Sequence, residues 1–142
     1  MLYLAIYQIP GTELLPVDII YQPEIRRYVE NWGRFGDLGF VVEEEWTGRC
    51  VGAIWMRVFD ENERGYGYIS PEIPELAMSV VESHRGLGIG TMMMGHLLEE
   101  MDSDLLSLSV YEDNPALRLY KRFGFREYAR KDDSIVMWYK KN

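Results

Sequence analysis

A globular α/β or α+β domain is what this sequence predicts, and three observations carry the expectation. Helix-period and strand-period segments alternate along the chain, 47% of residues are hydrophobic, and 142 residues suffice for one real core but not for two. Residues 1–142 are therefore read as a single domain. The formal charge of −8 leaves no basic footprint for nucleic acid and would be repelled by an anionic membrane surface, whereas it favours a cationic partner.

Cys50 is the only cysteine, which rules out an intramolecular disulfide and a cysteine-based metal cluster and makes a reducing cytoplasm the expected setting. The opening MLYLAIYQIP has neither a basic n-region nor a small-residue cleavage site, and its apolar run is too short to cross a bilayer, so no targeting segment is expected.

Residues 1–9 carry both strand and helix periodicities, and a helix is the preferred reading; Pro10 and Gly11 break it, and residues 11–18 read as a loop. A second helix should begin near Pro23, because proline suits a first turn, with Ile25, Tyr28, Val29 and Trp32 on one apolar face before Gly33. Residues 37–59 look like a hairpin: a strand over 40–45, a turn over 46–49, and a more apolar strand over 50–59 that would bury Cys50 as a small core residue. Glu43, Glu44 and Glu45 are expected to be a solvated strand end. The polar loop 60–74 carries Tyr66 and Tyr68; it either shapes a site or merely connects strands.

Glu75 opens a strand of apolar and β-branched residues to Val81, followed by a polar link, the turn RGLGIG (residues 85–90) and a helical segment over 91–101. Met93, Leu97 and Met101 share one face of that helix, and its methionines read as adaptable core packing. His96 has no second ligand at metal spacing and His84 sits in the polar link; both are expected to be structural or solvent-facing, and no metal site is expected. Leu106, Leu108 and Val110 alternate with Ser107 and Ser109 as in a strand. A short helix should follow, with Asn114 able to cap, Pro115 in the first position and Gly124 just past the end. Two last strands, over 126–130 and 135–139, flank a polar turn.

A glycine-rich turn that opens a helix after a strand lets the backbone approach an anion, while first-turn N–H groups point at it. The nucleoside-triphosphate loop would need Lys and Ser/Thr after its last glycine, but Thr91 and Met92 stand there. The dinucleotide fingerprint needs a further glycine at residue 91 and an acidic residue closing the next strand, and both are missing. Arg85-x-x-Gly88-x-Gly90 remains, and it resembles the signature of the GNAT family of N-acetyltransferases. NPALRLYKRFGF (residues 114–125) resembles that family's second signature, a strand followed by Asn, a short helix with a Tyr, and Gly-Phe. Both occur in the expected order, and the resemblance covers roughly residues 40–139. Only the N-terminus departs: members usually begin with a strand, so either residues 1–7 supply it or it is missing.

The resemblance implies a mostly antiparallel mixed sheet flanked by helices, whose central strands splay to admit the pantetheine of acetyl-CoA beside the main chain of Val80 and Val81. Pyrophosphate would meet Arg85, Gly86, Gly88, Gly90 and Thr91, with Arg85 either pairing with a phosphate or fixing the loop. Glu75 would collect the proton of the acceptor amine or be a solvent-facing strand end, and Tyr120 would protonate the departing thiolate, pack, or do both. Asn114 would cap its helix or touch coenzyme. The implied activity is acetyl transfer from acetyl-CoA to a primary amine; the alternative is a non-catalytic acyl-CoA sensor. A polyamine, an aminoglycoside-like molecule, an amino acid and a protein N-terminus all stay open as acceptors. A homodimer is a reasonable expectation if the final strand is exposed.

Overall fold

The computed structural model describes residues 1–6 and 14–142. Six strands form one sheet in the order β1-β2-β3-β4-β6-β5. They are β1 (Leu38–Glu43), β2 (Cys50–Arg57), β3 (Glu75–Val80), β4 (Leu105–Tyr111), β5 (Arg126–Lys131) and β6 (Ser134–Lys140). All neighbours are antiparallel except β3 and β4, which run parallel and meet at a single register pair, Glu75 with Ser107. Beyond that pair the two strands part. The sheet therefore carries an open seam at its centre.

Alternation along the strands divides the sheet into two faces. Ile54, Met56, Leu76, Leu106, Leu108, Val110, Ile135 and Met137 look toward helix α2 (Ile89–Glu100) and form the main core with its Met93, Met94, Leu97 and Leu98. Two of the three consecutive methionines are buried there as expected, while Met92 is exposed. The opposite face carries Trp55, Arg57, Glu75, Ser79 and Ser107 and is covered by the segment that begins with helix α1 (Pro23–Arg26).

That segment differs from the expected helix. Only one α-turn forms, because the carbonyls that would continue it are taken by β2: Arg57 Nη1 donates to Arg27 O (2.9 Å) and Glu30 O (2.6 Å), and Trp55 Nε1 donates to Tyr28 O (3.1 Å). Arg57 closes the arrangement with a bidentate pair to Asp37 at 2.9 and 2.7 Å. The first six residues hold a single 3₁₀ turn, Tyr3–Ala5, beside β3 rather than a helix, and the rest of the expected helix and its break lie outside the described residues. Among the described residues no strand precedes Leu38. Cys50 is exposed at the start of β2 and is not a core residue. Glu44 is more than a solvated strand end, since its carboxylate meets His84 Nε2 at 2.8 Å. The final strand β6 is interior, and the sheet edge belongs to β5, all of whose residues are exposed.

Candidate active site

Three elements meet at the open seam. The first is the turn from β3 into α2. Gly86 (φ 76°) and Gly88 (φ 84°) are left-handed, a backbone that L side chains adopt only with strain, and Gly88 stands immediately before the helix. No protein atom lies within 4 Å of where a Cβ would stand on either, whereas Gly90 is already helical and packs against Leu119 and Met78. Arg85 Nε donates to Val80 O at 3.0 Å, so this side chain ties the turn to the end of β3. Thr91 Oγ1 accepts from Arg122 Nη2 at 3.0 Å, which brings a second guanidinium to the first turn of α2.

The second element is the pair of strand edges. Val81 N donates to Val51 O at 2.9 Å, and the two-residue alternation of an antiparallel ladder then turns the main-chain groups of Met78 and Val80 away from β2, toward the seam. Val81 is thus turned the wrong way to offer its N–H there. Met78, which the sequence reading did not single out, is turned the right way. By the same reasoning Ser107 and Ser109 face β3, since β4 pairs with β6 through the even-numbered residues. Ser107 N is closed by Pro74 O at 2.9 Å.

The third element is α3 (Ala116–Arg122). Asn114 Oδ1 accepts from Ala116 N at 2.9 Å, which makes Asn114 a helix cap, with Pro115 in the first turn. At the other end Gly124 (φ 100°) lets its N–H reach Lys121 O and the Phe125 N–H reach Tyr120 O, both at 3.0 Å. This closure is normally accompanied by an apolar contact between the residues it joins. Here that contact is Tyr120 against Phe125, ring centroids 5.8 Å apart. Tyr120 is consequently fixed in the core on the α2 face, where burial pushes its hydroxyl up to about 12.

Glu75 lies on the other face. It is 2% exposed and covered by residues 65–67 of the loop between β2 and β3. Tyr28 Oη donates to Glu75 Oε2, and the same hydroxyl accepts the Tyr66 N–H at 2.8 Å. The Gly67 N–H also faces the carboxylate without completing a hydrogen bond. A Cβ on Gly65 would collide with Glu75 Oε1, and one on Gly67 would stand 2.6 Å from the carbonyl carbon of Leu108. The loop thus crosses the seam as a strap. It is stapled to the α1 segment by Arg27 Nη1 on Arg64 O (2.5 Å) and by the Arg34–Glu63 ion pair (3.3 Å).

Desolvation pushes the Glu75 carboxyl up to about 7, although the Tyr28 hydroxyl and the Gly67 amide pull in the other direction. Burial, and then the adjoining Glu75 charge, raise Tyr28 well above the ordinary range, so Tyr28 remains a proton-bearing donor. Among the described residues, the two buried side-chain oxygens without a partner are Glu75 Oε1 and Ser79 Oγ. Both belong to the same face of β3, beside the seam. A buried polar atom left unpaired costs about 1–3 kcal/mol, so a polar ligand fits here. Left-handed glycines, outward main-chain groups and orphaned oxygens together suit a long, polar, phosphate-bearing molecule. Glu75 and Tyr120 are not in contact; the sheet separates them, one on each side of the seam.

No group of metal-ligating side chains occurs among the described residues. Nor is any helix among them long and apolar enough to cross a membrane.

The sequence profile of the Acetyltransferase (GNAT) family matches residues 4–125. An N-alpha-acetyltransferase of Sulfolobus acidocaldarius is 29% identical over 129 residues, covering 78% of this chain and 73% of that protein. A second N-alpha-acetyltransferase, from Sulfurisphaera tokodaii, is 29% identical over 159 residues, covering 92% and 91%. Among solved structures, the ribosomal-protein-alanine N-acetyltransferase of Brucella melitensis superposes with a TM-score of 0.62 at 24% identity, over 90% of this chain and 80% of that one. The ribosomal-protein-S18-alanine N-acetyltransferase of Escherichia coli gives 0.61 at 20% identity, over 82% and 76%. With the profile match spanning most of its length, the chain belongs to the GNAT family, whose cosubstrate is acetyl-CoA, and is an acetyltransferase that acts on an amine.

Proposed function

We propose that the acceptor is the free α-amine of a peptide or protein N-terminus, and that residues 1–142 form one catalytic domain working in the cytoplasm on acetyl-CoA. The observation that carries this reading is the Glu75 carboxyl, buried at the seam with one oxygen unpartnered and a pKa pushed up to about 7. An α-amine has a pKa of about 7.7–8.0, so roughly a quarter of it is neutral at pH 7.4, against about 0.1% of a lysine amine. Passing a proton to a base near 7 costs about 1 kcal/mol from an α-ammonium and more than about 4 kcal/mol from a lysine ammonium. The base is matched to the α-amine. The names of the two curated relatives point the same way. A cleft of about 480 Å³ between Tyr66 on the strap and the β5–β6 turn at Asp132 and Asp133 gives a peptide room to approach.

In this account pantetheine lies along the seam against Met78 and Val80, and its phosphates meet the backbone of residues 85–91, with Arg85 holding the loop and Arg122 adding charge. The neutral amine attacks the thioester carbonyl, and the tetrahedral intermediate carries its negative charge on oxygen toward an N–H of β3. The ammonium proton passes to Glu75 Oε1, directly or through one water, the C–S bond breaks, and coenzyme leaves as thiolate. An alkyl thiol has a pKa of about 8.5. A Tyr120 hydroxyl near 12 therefore stabilises the leaving sulfur by donating a hydrogen bond rather than by surrendering its proton outright.

The test is thiol release from acetyl-CoA with three acceptors: a peptide with a free N-terminus and no lysine, an N-terminally blocked peptide with one lysine, and spermidine. Turnover with the first alone is expected. Faster turnover with either of the others would overturn the acceptor assignment.

A further inference from the structure

We infer that Tyr28 is a positioning residue for the acetyl transfer: its hydroxyl locks one oxygen of Glu75, so that Oε1 alone receives the proton of the amine. This deepens the reading above and rests on Glu75 being the base.

A tyrosine hydroxyl has one proton to give and can also accept. Tyr28 Oη accepts the Tyr66 N–H at 2.8 Å, which commits its own proton to Glu75 Oε2 whenever that carboxylate is ionised. The ring cannot easily turn away. It forms a T-shaped pair with Phe59, centroids 5.2 Å apart at 72°, and the residue's backbone oxygen is held by Trp55 Nε1 at 3.1 Å. Tyr66 is the residue next to Gly65, beneath which Oε1 sits, so one hydroxyl aligns both the strap and the carboxylate.

Other charges do not replace it. Arg57 is directly opposite Glu75 in the β2–β3 register and shares its face, but its guanidinium is committed to Asp37 and to the carbonyls of Arg27 and Glu30. Arg27 reaches the strap at Arg64 O instead, and Tyr66 faces Tyr28 through its main chain. Tyr28 is thus the single side-chain donor on the Glu75 carboxylate among the described residues.

The test is the pH dependence of kcat from pH 5.5 to 9.5 at saturating acetyl-CoA and acceptor peptide, for wild type, Tyr28→Phe, Glu75→Gln and the double variant. A hydrogen bond to the charged form of an acid holds its pKa down by about one unit. Tyr28→Phe, which keeps the ring, should therefore move the acid limb upward by about one pH unit, giving a roughly fivefold loss at pH 7 and recovery toward wild type by pH 9. In the Glu75→Gln background the same change should add no further loss. An even loss at all pH values, an unmoved limb, additive losses in the double variant, or a Tyr28→Phe protein that does not fold would each overturn the assignment and leave Tyr28 a structural residue. An acid limb that persists unchanged in Glu75→Gln would instead remove Glu75 as the base, a failure of the underlying reading that is seen separately.

Discussion

Replacing Glu75 with Gln should make the protein more stable while making it a poor enzyme, and the gain should appear only as the pH rises. The Glu75 carboxyl is raised from 4.5 to about 7 in the folded chain. Below pH 4.5 folded and unfolded forms are both protonated and the group contributes nothing. Between 4.5 and 7 the unfolded chain ionises first, so folding is progressively opposed; above 7 the opposition is constant. At about 1.36 kcal/mol per unit, the cost that accumulates between pH 5 and pH 8 is roughly 2–3 kcal/mol. A neutral Gln has no such cost, and its oxygen can still accept from Tyr28. For a chain of this size that corresponds to a Tm difference, variant minus wild type, that grows by roughly 5–10 °C over the same range. Thermal denaturation of both proteins without coenzyme, at pH 5, 6, 7 and 8, measures it. Asp37 does not confuse the comparison. Desolvation raises its pKa, but the Arg57 guanidinium and the Gly33 and Arg34 backbone N–H groups together outweigh this and hold it below 3.8, so its contribution is lost only as pH falls below that value, equally in both proteins. Two curves that run parallel from pH 5 to 8 would refute the reasoning, because the Glu75 carboxyl would then be ordinary.

If the Tyr120 hydroxyl donates to the leaving sulfur as proposed, Tyr120→Phe should lower kcat by about 10- to 100-fold with little change in KM for acetyl-CoA, the ring contact with Phe125 being kept; steady-state kinetics on both substrates checks this. Gly88→Ala forces a left-handed φ of 84° on a residue with a Cβ, about 1–2 kcal/mol of strain, and should show chiefly as a raised KM for acetyl-CoA. Gly65→Ala meets Glu75 and Tyr28 and should cost about 1–3 kcal/mol of stability by overpacking, with activity falling further than the stability loss explains; urea denaturation beside kinetics separates the two. Asp37→Ala leaves the fully buried Arg57 guanidinium without its carboxylate and should cost about 3–5 kcal/mol, read from the denaturation midpoint.

Local signals were legible wherever local chemistry decides the conformation. Asn114 and Gly124 mark both ends of α3 because a cap and a left-handed exit are properties of those residues themselves. The alternation of Leu106, Leu108 and Val110 with serines is likewise a strand read correctly, as is the order of glycine turn and α2. What stayed hidden depends on partners distant in sequence. Tyr28 looked like one more apolar position on a helix, and nothing near it announces Glu75, 47 residues away. The helix is shorter than its apolar spacing predicts because Arg57 and Trp55 take its carbonyls. Cys50 reads as core from its apolar neighbours, yet it opens β2, where the first position is exposed. Val81 and Met78 could not be told apart without knowing which strand edge pairs with β2. For Glu75 the sequence allows a base or a solvent-facing strand end, and burial beneath the strap removes the solvent-facing reading.

The choice of α-amine and the role of Glu75 are tested together by one peptide carrying both a free N-terminus and an internal lysine, incubated with acetyl-CoA and wild-type or Glu75→Gln protein at pH 7.4. Fragment mass spectrometry then locates the acetyl group. Acetylation is expected at the α-amine in large excess over the ε-amine, and is expected to be lost in the variant. Acetylation on the lysine, or at the α-amine with undiminished rate in Glu75→Gln, would contradict it.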